Sequence, residues 1–177
     1  MPLNPLPPTA LRADGIELLE LQLADWPLEQ QLSRVPDVVR WTFYRADMTE
    51  QQARERIELG HARSRDGVSR RYAVRVDGQS VGTAGIIVTR EHPEVFYALL
   101  PDGRGRGAAT AAVRALSDWA LDAGADQVVI WTGEGNAASE AVARRAGFLF
   151  AGTEVDLDHG EPETLLKWVR RRGGVPR

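Results

Sequence analysis

The chain has 177 residues, enough for one domain with a sizeable core. At 43% hydrophobic and 27% charged residues it reads as an ordinary soluble globular protein, and a net charge of -3 with a pI of about 5.7 argues against general affinity for nucleic acid, which needs many cationic phosphate contacts. The absence of cysteine removes disulfides, cysteine-ligated zinc and a covalent cysteinyl intermediate, and His61, His92 and His159 have no metal-ligand spacing, so no metal site is expected.

No apolar run approaches the roughly 20 residues that span a bilayer. The opening Met1-Pro2-Leu3-Asn4-Pro5-Leu6-Pro7-Pro8 has neither a basic region nor a long apolar stretch, so it is not read as a signal peptide. The expected location is the cytoplasm, with no membrane partner. Residues 1–14 are read as a loose, proline-rich segment. Residues 16–23 alternate apolar and polar, with a phase slip at Leu19, and predict a strand. Asp25 and Pro27 predict the start of a short helix. Residues 38–44 are rich in β-formers but short and ambiguous. Thr49 and Gln52 have capping-box spacing, and the helix after them should run to about Ser64 with Ala53, Ile57 and His61 on one face.

Tyr72, Val74 and Val76 alternate as a strand, Asp77-Gly78 is a hairpin turn signal, and residues 81–88 return. Gly82 and Gly85 weaken that returning strand unless something passes close to its backbone. Residues 94–100 form the next strand and run straight into Pro101-Asp102-Gly103-Arg104-Gly105-Arg106-Gly107. The following helix carries Ala109, Ala112, Val113, Leu116 and Ala120 on one stripe and stops at Gly124. Residues 127–132 are almost continuously apolar, as a central strand covered on both faces would be. Asn136 caps a short helix that ends near Gly147. Residues 148–152 and 164–169 read as closing strands, joined by an acidic connection with Asp156, Asp158, Glu161 and Glu163. One domain, residues 15–169, is therefore expected, followed by a basic, frayed tail over 170–177. A hairpin-rich half followed by strand–helix units implies an α/β fold with a mixed sheet and helices on both faces.

The glycine/arginine loop carries the chemistry. Gly105 and Gly107 allow close approach of backbone to a ligand. The first turn of the helix leaves unpaired N–H groups and a partial positive charge, and Arg104 and Arg106 add full charges. Together they suit a pyrophosphate. The bland reading is a surface turn made soluble by its arginines. No lysine followed by Ser or Thr completes a Walker loop, and no GxGxxG is present, since the next glycine after Gly107 is Gly124.

What fits is Arg-x-x-Gly-x-Ala, written here as Arg104-Gly105-Arg106-Gly107-Ala108-Ala109. It resembles the acetyl-CoA signature of the GNAT superfamily of N-acetyltransferases. Glu94-Val95-Phe96-Tyr97-Ala98-Leu99-Leu100-Pro101 is similar to the strand before that family's loop. Asn136-Ala137-Ala138-Ser139, with Ala146-Gly147-Phe148 and Gly152, resembles its second motif in the branch that includes ribosomal-protein N-terminal acetyltransferases. The strong part of the resemblance covers roughly residues 70–153.

The resemblance implies a GNAT-type mixed, mostly antiparallel sheet whose central strand pair splays apart, with flanking helices. It implies acetyl-CoA as co-substrate and direct transfer of the acetyl group to a primary amine, on a protein N-terminus or a small molecule. Leu99 and Leu100 would line the pantetheine gap and offer a backbone N–H to the thioester oxygen. Arg104, Gly105, Arg106, Gly107, Ala109 and Thr110 would hold the diphosphate, and Asn136 would both cap its helix and reach the pantetheine arm. Many members carry a proton-donating tyrosine seven residues after that asparagine; here the position is Ala143, and Ser139 is the remaining hydroxyl, with water as its alternative. Glu94 is the candidate base, through water, with His92 as runner-up; a charged strand edge is the plain reading of Glu94. Tyr97 is read as core packing from its period-two relation to Val95 and Leu99. Trp41, Phe43 and Tyr44 either pack or line an acceptor pocket. An acyl-CoA-binding regulatory module without useful turnover is the alternative to an enzyme. The acceptor and the oligomeric state, a homodimer included, stay open.

Overall fold

The computed structural model describes residues 6–89, 91–157 and 161–173. The first five residues of the proline-rich segment, Asp158 and His159 of the acidic connection, and the last four residues of the tail lie outside the described residues.

Two hairpins of the same kind open the sheet. Strands β1 (Ala10–Ala13) and β2 (Ile16–Glu20) turn at Asp14-Gly15, and β3 (Ser69–Val76) and β4 (Gln79–Val88) turn at Asp77-Gly78. Both residues of each turn have positive φ, +47° and +78° in the first and +50° and +78° in the second. That backbone twist matches the right-handed twist of the flanking strands. The first hairpin corrects the expectation of a loose segment over 1–14: residues 10–13 are an edge strand, with Leu11 and Ala13 half-buried on one face, and four residues are too few for that alternation to stand out. Strand β2 also ends before residue 23. Leu21 leaves the sheet to enter the core beside the helices.

Helix α1 (Trp26–Ser33) follows Asp25 with proline in its first turn. Helix α2 (Pro36–Trp41) replaces the ambiguous β-rich stretch at 38–44. Val35 is extended, and Pro36 then supplies the fixed φ that suits the first helical position. Helix α3 (Glu50–Arg65) has the expected capping box, with the Thr49 hydroxyl accepting from the Gln52 amide at 3.2 Å and Gln52 Oε1 accepting from the Thr49 amide at 2.9 Å.

The second half adds β5 (Pro93–Leu99), α4 (Ala108–Asp122), β6 (Gln127–Gly133), α5 (Ala137–Arg145), β7 (Leu149–Asp156) and β8 (Glu163–Arg171). The eight strands form one sheet in the order β1-β2-β3-β4-β5-β6-β8-β7. Every neighbouring pair is antiparallel except β5 and β6, which are parallel. Arg170 and Arg171, assigned to the tail by sequence, instead end β8 opposite Val128 and Gln127.

Side chains alternate between two cores. Tyr72, Val74, Ala84, Ile86, Val95 and Leu99 pack with Ala112, Val113, Leu116 and Ala120 of α4 on one face. Ala73 and Ala98 pack with Leu28, Leu32, Val38 and Ile57 of α1, α2 and α3 on the other. Burying each of these larger aliphatic side chains contributes about 1.5–3 kcal/mol. The glycines of β4 allow β5 to lie close. A Cβ at Gly82 would sit 2.2 Å from the Ala98 carbonyl oxygen, and one at Gly85 would sit 2.4 Å from the Phe96 ring. Among the described residues no helix is long and apolar enough to cross a membrane.

Candidate functional site

The sheet is parted at its centre. Only one register pair, Glu94 with Val129, joins β5 to β6, and no further pair joins the two strands toward their C-terminal ends. The open end of this gap lies where β5 enters the glycine/arginine loop.

That loop begins with a 3-10 turn over Pro101–Gly103. Gly105 and Gly107 follow at φ +76° and +79°, and open space surrounds the position of an added Cβ at both. Gly107 is the N-cap of α4 and no side chain caps the helix. The Ala111 amide is the first to find a carbonyl one turn back, that of Gly107 at 2.9 Å. The amides of Ala108, Ala109 and Thr110 therefore have no intrahelical acceptor, and no acidic residue sits in that first turn. Several N–H dipoles and the positive end of a 15-residue helix converge on open space. The cradle fits a diphosphate: a side chain at Gly107 would need left-handed backbone, and an acid in the first turn would repel the anion.

The two arginines of the loop differ. Arg104 turns its guanidinium onto Asp37 of α2 in a bidentate pair at 2.7 and 3.0 Å, and donates to the Leu99 carbonyl at 3.0 and 3.3 Å. Hydrogen bonds from Arg104 hold the Asp37 carboxyl below its ordinary pKa. In this arrangement the side chain of Arg104 ties α2 to the end of β5, and what faces the cradle at this position is backbone. Arg106 is exposed and donates to the Asp102 carbonyl at 3.4 Å.

Leu99 and Leu100 are also distinguished. The Leu100 amide donates to the Val81 carbonyl at 2.9 Å, so it is committed to β4. Backbone groups alternate along a strand. The Leu99 N–H and C=O consequently face the β6 side, where the ladder has ended. Leu99, not Leu100, presents an amide to the gap.

Across the gap lies α5. The Asn136 side chain accepts from the Ser139 amide at 3.2 Å, the plain N-cap. Ser139 is half-buried, and its Oγ accepts a hydrogen bond from the Tyr97 hydroxyl at 3.1 Å. Tyr97 does pack with Val95 and Leu99, as its period-two placement predicts, but its phenol tip crosses to α5. Burial raises its pKa above the ordinary tyrosine value, against a smaller opposing contribution from the Ser139 hydrogen bond. Ala143 is fully buried in the core. A phenol is therefore missing from α5 and arrives from β5 instead. Nothing in the sequence marks a hydrogen-bond partner for a tyrosine whose neighbours on the strand are apolar.

Glu94 stands apart from this pair. It lies three residues from Tyr97, about 10 Å along the strand, and period two puts the two side chains on opposite faces. Glu94 shares its face with Ala98, which packs beside α1, α2 and α3. His92 is buried beside it, with Nε2 3.4 Å from Glu94 Oε1 but no hydrogen bond to that nitrogen. Thr89 holds the His92 backbone, donating its hydroxyl to the carbonyl at 2.6 Å and accepting from the amide at 3.1 Å.

Helix α2 closes the open end of the gap on the Glu94 face. Asp37 holds it to Arg104. At its other end Arg40 pairs with Glu163 at 3.1 Å, and the Trp41 ring rests on the Gly133 backbone, 2.7 Å from where a Cβ would be. Of the three aromatic residues here, Tyr44 is buried with its hydroxyl 3.0 Å from that of Thr83, Trp41 packs on the end of β6, and Phe43 is 71% exposed. Glu163 of the acidic connection is engaged by Arg40, and Glu161 is exposed.

The acetyltransferase (GNAT) domain model matches residues 16–149. No curated protein matches the chain significantly. Among solved structures, RimL, a ribosomal L7/L12 alpha-N-protein acetyltransferase in complex with coenzyme A, superposes with a TM-score of 0.77 at 17% identity, covering 92% of this chain and 97% of that one. The microcin C7 self-immunity acetyltransferase MccE, in complex with acetyl-CoA and AMP, gives 0.83 at 18% identity, covering 94% and 98%. A probable GNAT-family acetyltransferase from Chromobacterium violaceum ATCC 12472 gives 0.77 at 23% identity, covering 94% and 93%.

Proposed function

The chain belongs to the GNAT acetyltransferase family, and from that premise we propose that it transfers the acetyl group of acetyl-CoA directly to a primary amine, on a protein N-terminus or a small molecule. The observation that carries this reading is the alignment of the amide cradle at residues 105–110 with the parted strands β5 and β6. One feature would hold the diphosphate while the other admits the thioester arm, with Asn136 at its far wall.

The roles follow from the two faces of the gap. The amine arrives as an ammonium ion at neutral pH. Glu94 takes one proton from it, through water, on the α1–α3 face. The freed nitrogen lone pair then attacks the thioester carbon. The Leu99 amide donates to the carbonyl oxygen as charge gathers there, the largest kind of electrostatic contribution in acyl transfer. A C–N bond forms and the C–S bond breaks. The sulfur departs on the α4 face, where Ser139 donates a hydrogen bond to it, and the second proton of the nitrogen reaches it through water. Holding both reactants in one ternary complex supplies much of the rate.

RimL, whose fold this chain shares, is described as acting on a ribosomal protein terminus. A protein N-terminus is accordingly the first acceptor to test. The experiment is thiol release from acetyl-CoA with a panel of N-terminal peptides, polyamines and aminoglycosides. Saturable release with one class supports the reading. Tight donor binding with no release across the panel would instead favour a regulatory acyl-CoA-binding module.

A further inference from the structure

We infer that Tyr97 is a positioning residue that aims the Ser139 hydroxyl at the sulfur of the thioester donor. This rests on the role given above to Ser139, and its test separates the two.

A serine hydroxyl has one proton to donate and two lone pairs that accept. At Ser139 one lone pair is occupied by the Tyr97 hydroxyl at 3.1 Å. The proton is uncommitted. A serine inside a helix can give its proton to a carbonyl one turn back: Ser33 donates to the Gln30 carbonyl at 2.6 Å and Ser117 to that of Arg114 at 3.0 Å, while Ser64 donates to the Glu20 carboxylate at 3.0 Å. Ser139 is the third residue of α5, where the carbonyl three residues back is that of the non-helical cap Asn136, and among the described residues its hydroxyl makes no such bond. Its amide is held by Asn136, which fixes the backbone, and its oxygen is held by Tyr97, which fixes the rotamer. With one lone pair taken by the phenol, the O–H is turned away from Tyr97.

Tyr97 suits this task. Its ring is clamped in the core beside Val95 and Leu99, on the strand that lines the gap. A phenol whose burial disfavours ionisation stays a donor throughout the neutral range. A hydroxyl aimed before the reaction begins needs no reorganisation when negative charge reaches the sulfur. The serine needs no low pKa for this, because it stabilises the thiolate by a hydrogen bond and is not itself ionised.

The test is the titration of bound coenzyme A, followed by thiolate absorbance and by the pH dependence of its Kd, with desulfo-coenzyme A as the ligand lacking the sulfur. Wild-type protein is expected to lower the thiol pKa. Y97F keeps the ring and its packing and removes only the oxygen. It should return the bound thiol pKa toward that of the free ligand to the same extent as S139A, and the double variant should add nothing. Desulfo-coenzyme A should bind all four proteins within about twofold. In turnover, Y97F should lower kcat by about tenfold or more, the loss expected for one hydrogen bond to a charged atom, with little change in the KM for acetyl-CoA. If S139A moves the thiol titration and Y97F does not, the inference fails and the role of Ser139 stands. If the two effects multiply, Tyr97 acts independently and the inference also fails. If S139A itself leaves both readouts at wild type, or wild type does not bind coenzyme A, the reading of Ser139 falls and takes the inference with it.

Discussion

Replacing Gly107 probes the cradle in two separable parts. Gly107 is at φ +79° with open space around it, so a side chain there meets backbone strain and no collision. Left-handed backbone costs a non-glycine residue about 1–2 kcal/mol, which for a chain of this size lowers Tm by about 2–8 °C. G107Q and G107E share that strain and nearly the same volume. They differ by one negative charge placed about 5 Å from the diphosphate, which at an effective dielectric of about 20 costs about 3 kcal/mol. Coenzyme A should therefore bind G107E about a hundredfold more weakly than G107Q at low ionic strength, with the gap narrowing as salt is raised. Calorimetric titration at two salt concentrations, with thermal melts to establish folding, measures both parts. Equal affinities for folded G107Q and G107E would refute the argument that the diphosphate lies over residues 105–110.

Three further perturbations test the rest of the site. E94Q should lower kcat/KM by about a hundredfold or more at neutral pH, as loss of a general base does, and the deficit should shrink as pH approaches the pKa of the acceptor amine; a constant deficit across pH would remove Glu94 as the base. D37N should leave Tm within a few degrees, because a pair this exposed contributes at most about 1 kcal/mol, yet raise the KM for the amine by freeing α2 from β5; an unchanged KM would disconnect α2 from the acceptor. For wild type, the Asp37 carboxyl is held below its ordinary pKa by Arg104, so the stability from that pair is complete above the ordinary carboxylate pKa and is lost as pH falls through the lowered one. At high pH the sign reverses. Burial pushes the Tyr44 phenol up to about 12, so the unfolded chain releases a proton above pH 10 that the folded chain retains. Stability should fall between about pH 10 and 12 by up to roughly 3 kcal/mol from this residue, and Y44F should flatten that fall in a denaturant titration.

The strand–loop–helix junction was legible because its signals are local. Gly105 and Gly107 are needed where they stand by backbone conformation, and the stripe of alanines and leucines on α4 follows from helical period. The capping box of α3 and the Asp77-Gly78 turn were legible for the same reason. The hairpin at Asp14-Gly15 carries an equally good turn signal, but β1 is a four-residue edge strand whose apolar face is only Leu11 and Ala13, too short for alternation to register. At 38–44 β-propensity conflicted with Pro36, and the contacts of Val38 and Tyr44 with α1 and α3 decided for a helix followed by a turn. The site itself was legible only as a set of residues. That the Leu100 amide is committed to β4, that Arg104 pairs with Asp37 67 residues away, and that Tyr97 reaches Ser139 42 residues away are consequences of how the strands pair. No local pattern encodes such long-range partners.

The position of the bound donor is the most direct measurement. A crystal structure of the protein with coenzyme A is predicted to place diphosphate oxygens within about 2.7–3.2 Å of the main-chain amides between residues 105 and 110, with the pantetheine arm running between β5 and β6 past Leu99. Density for the diphosphate elsewhere, or an arm lying outside the parted strands, would contradict it.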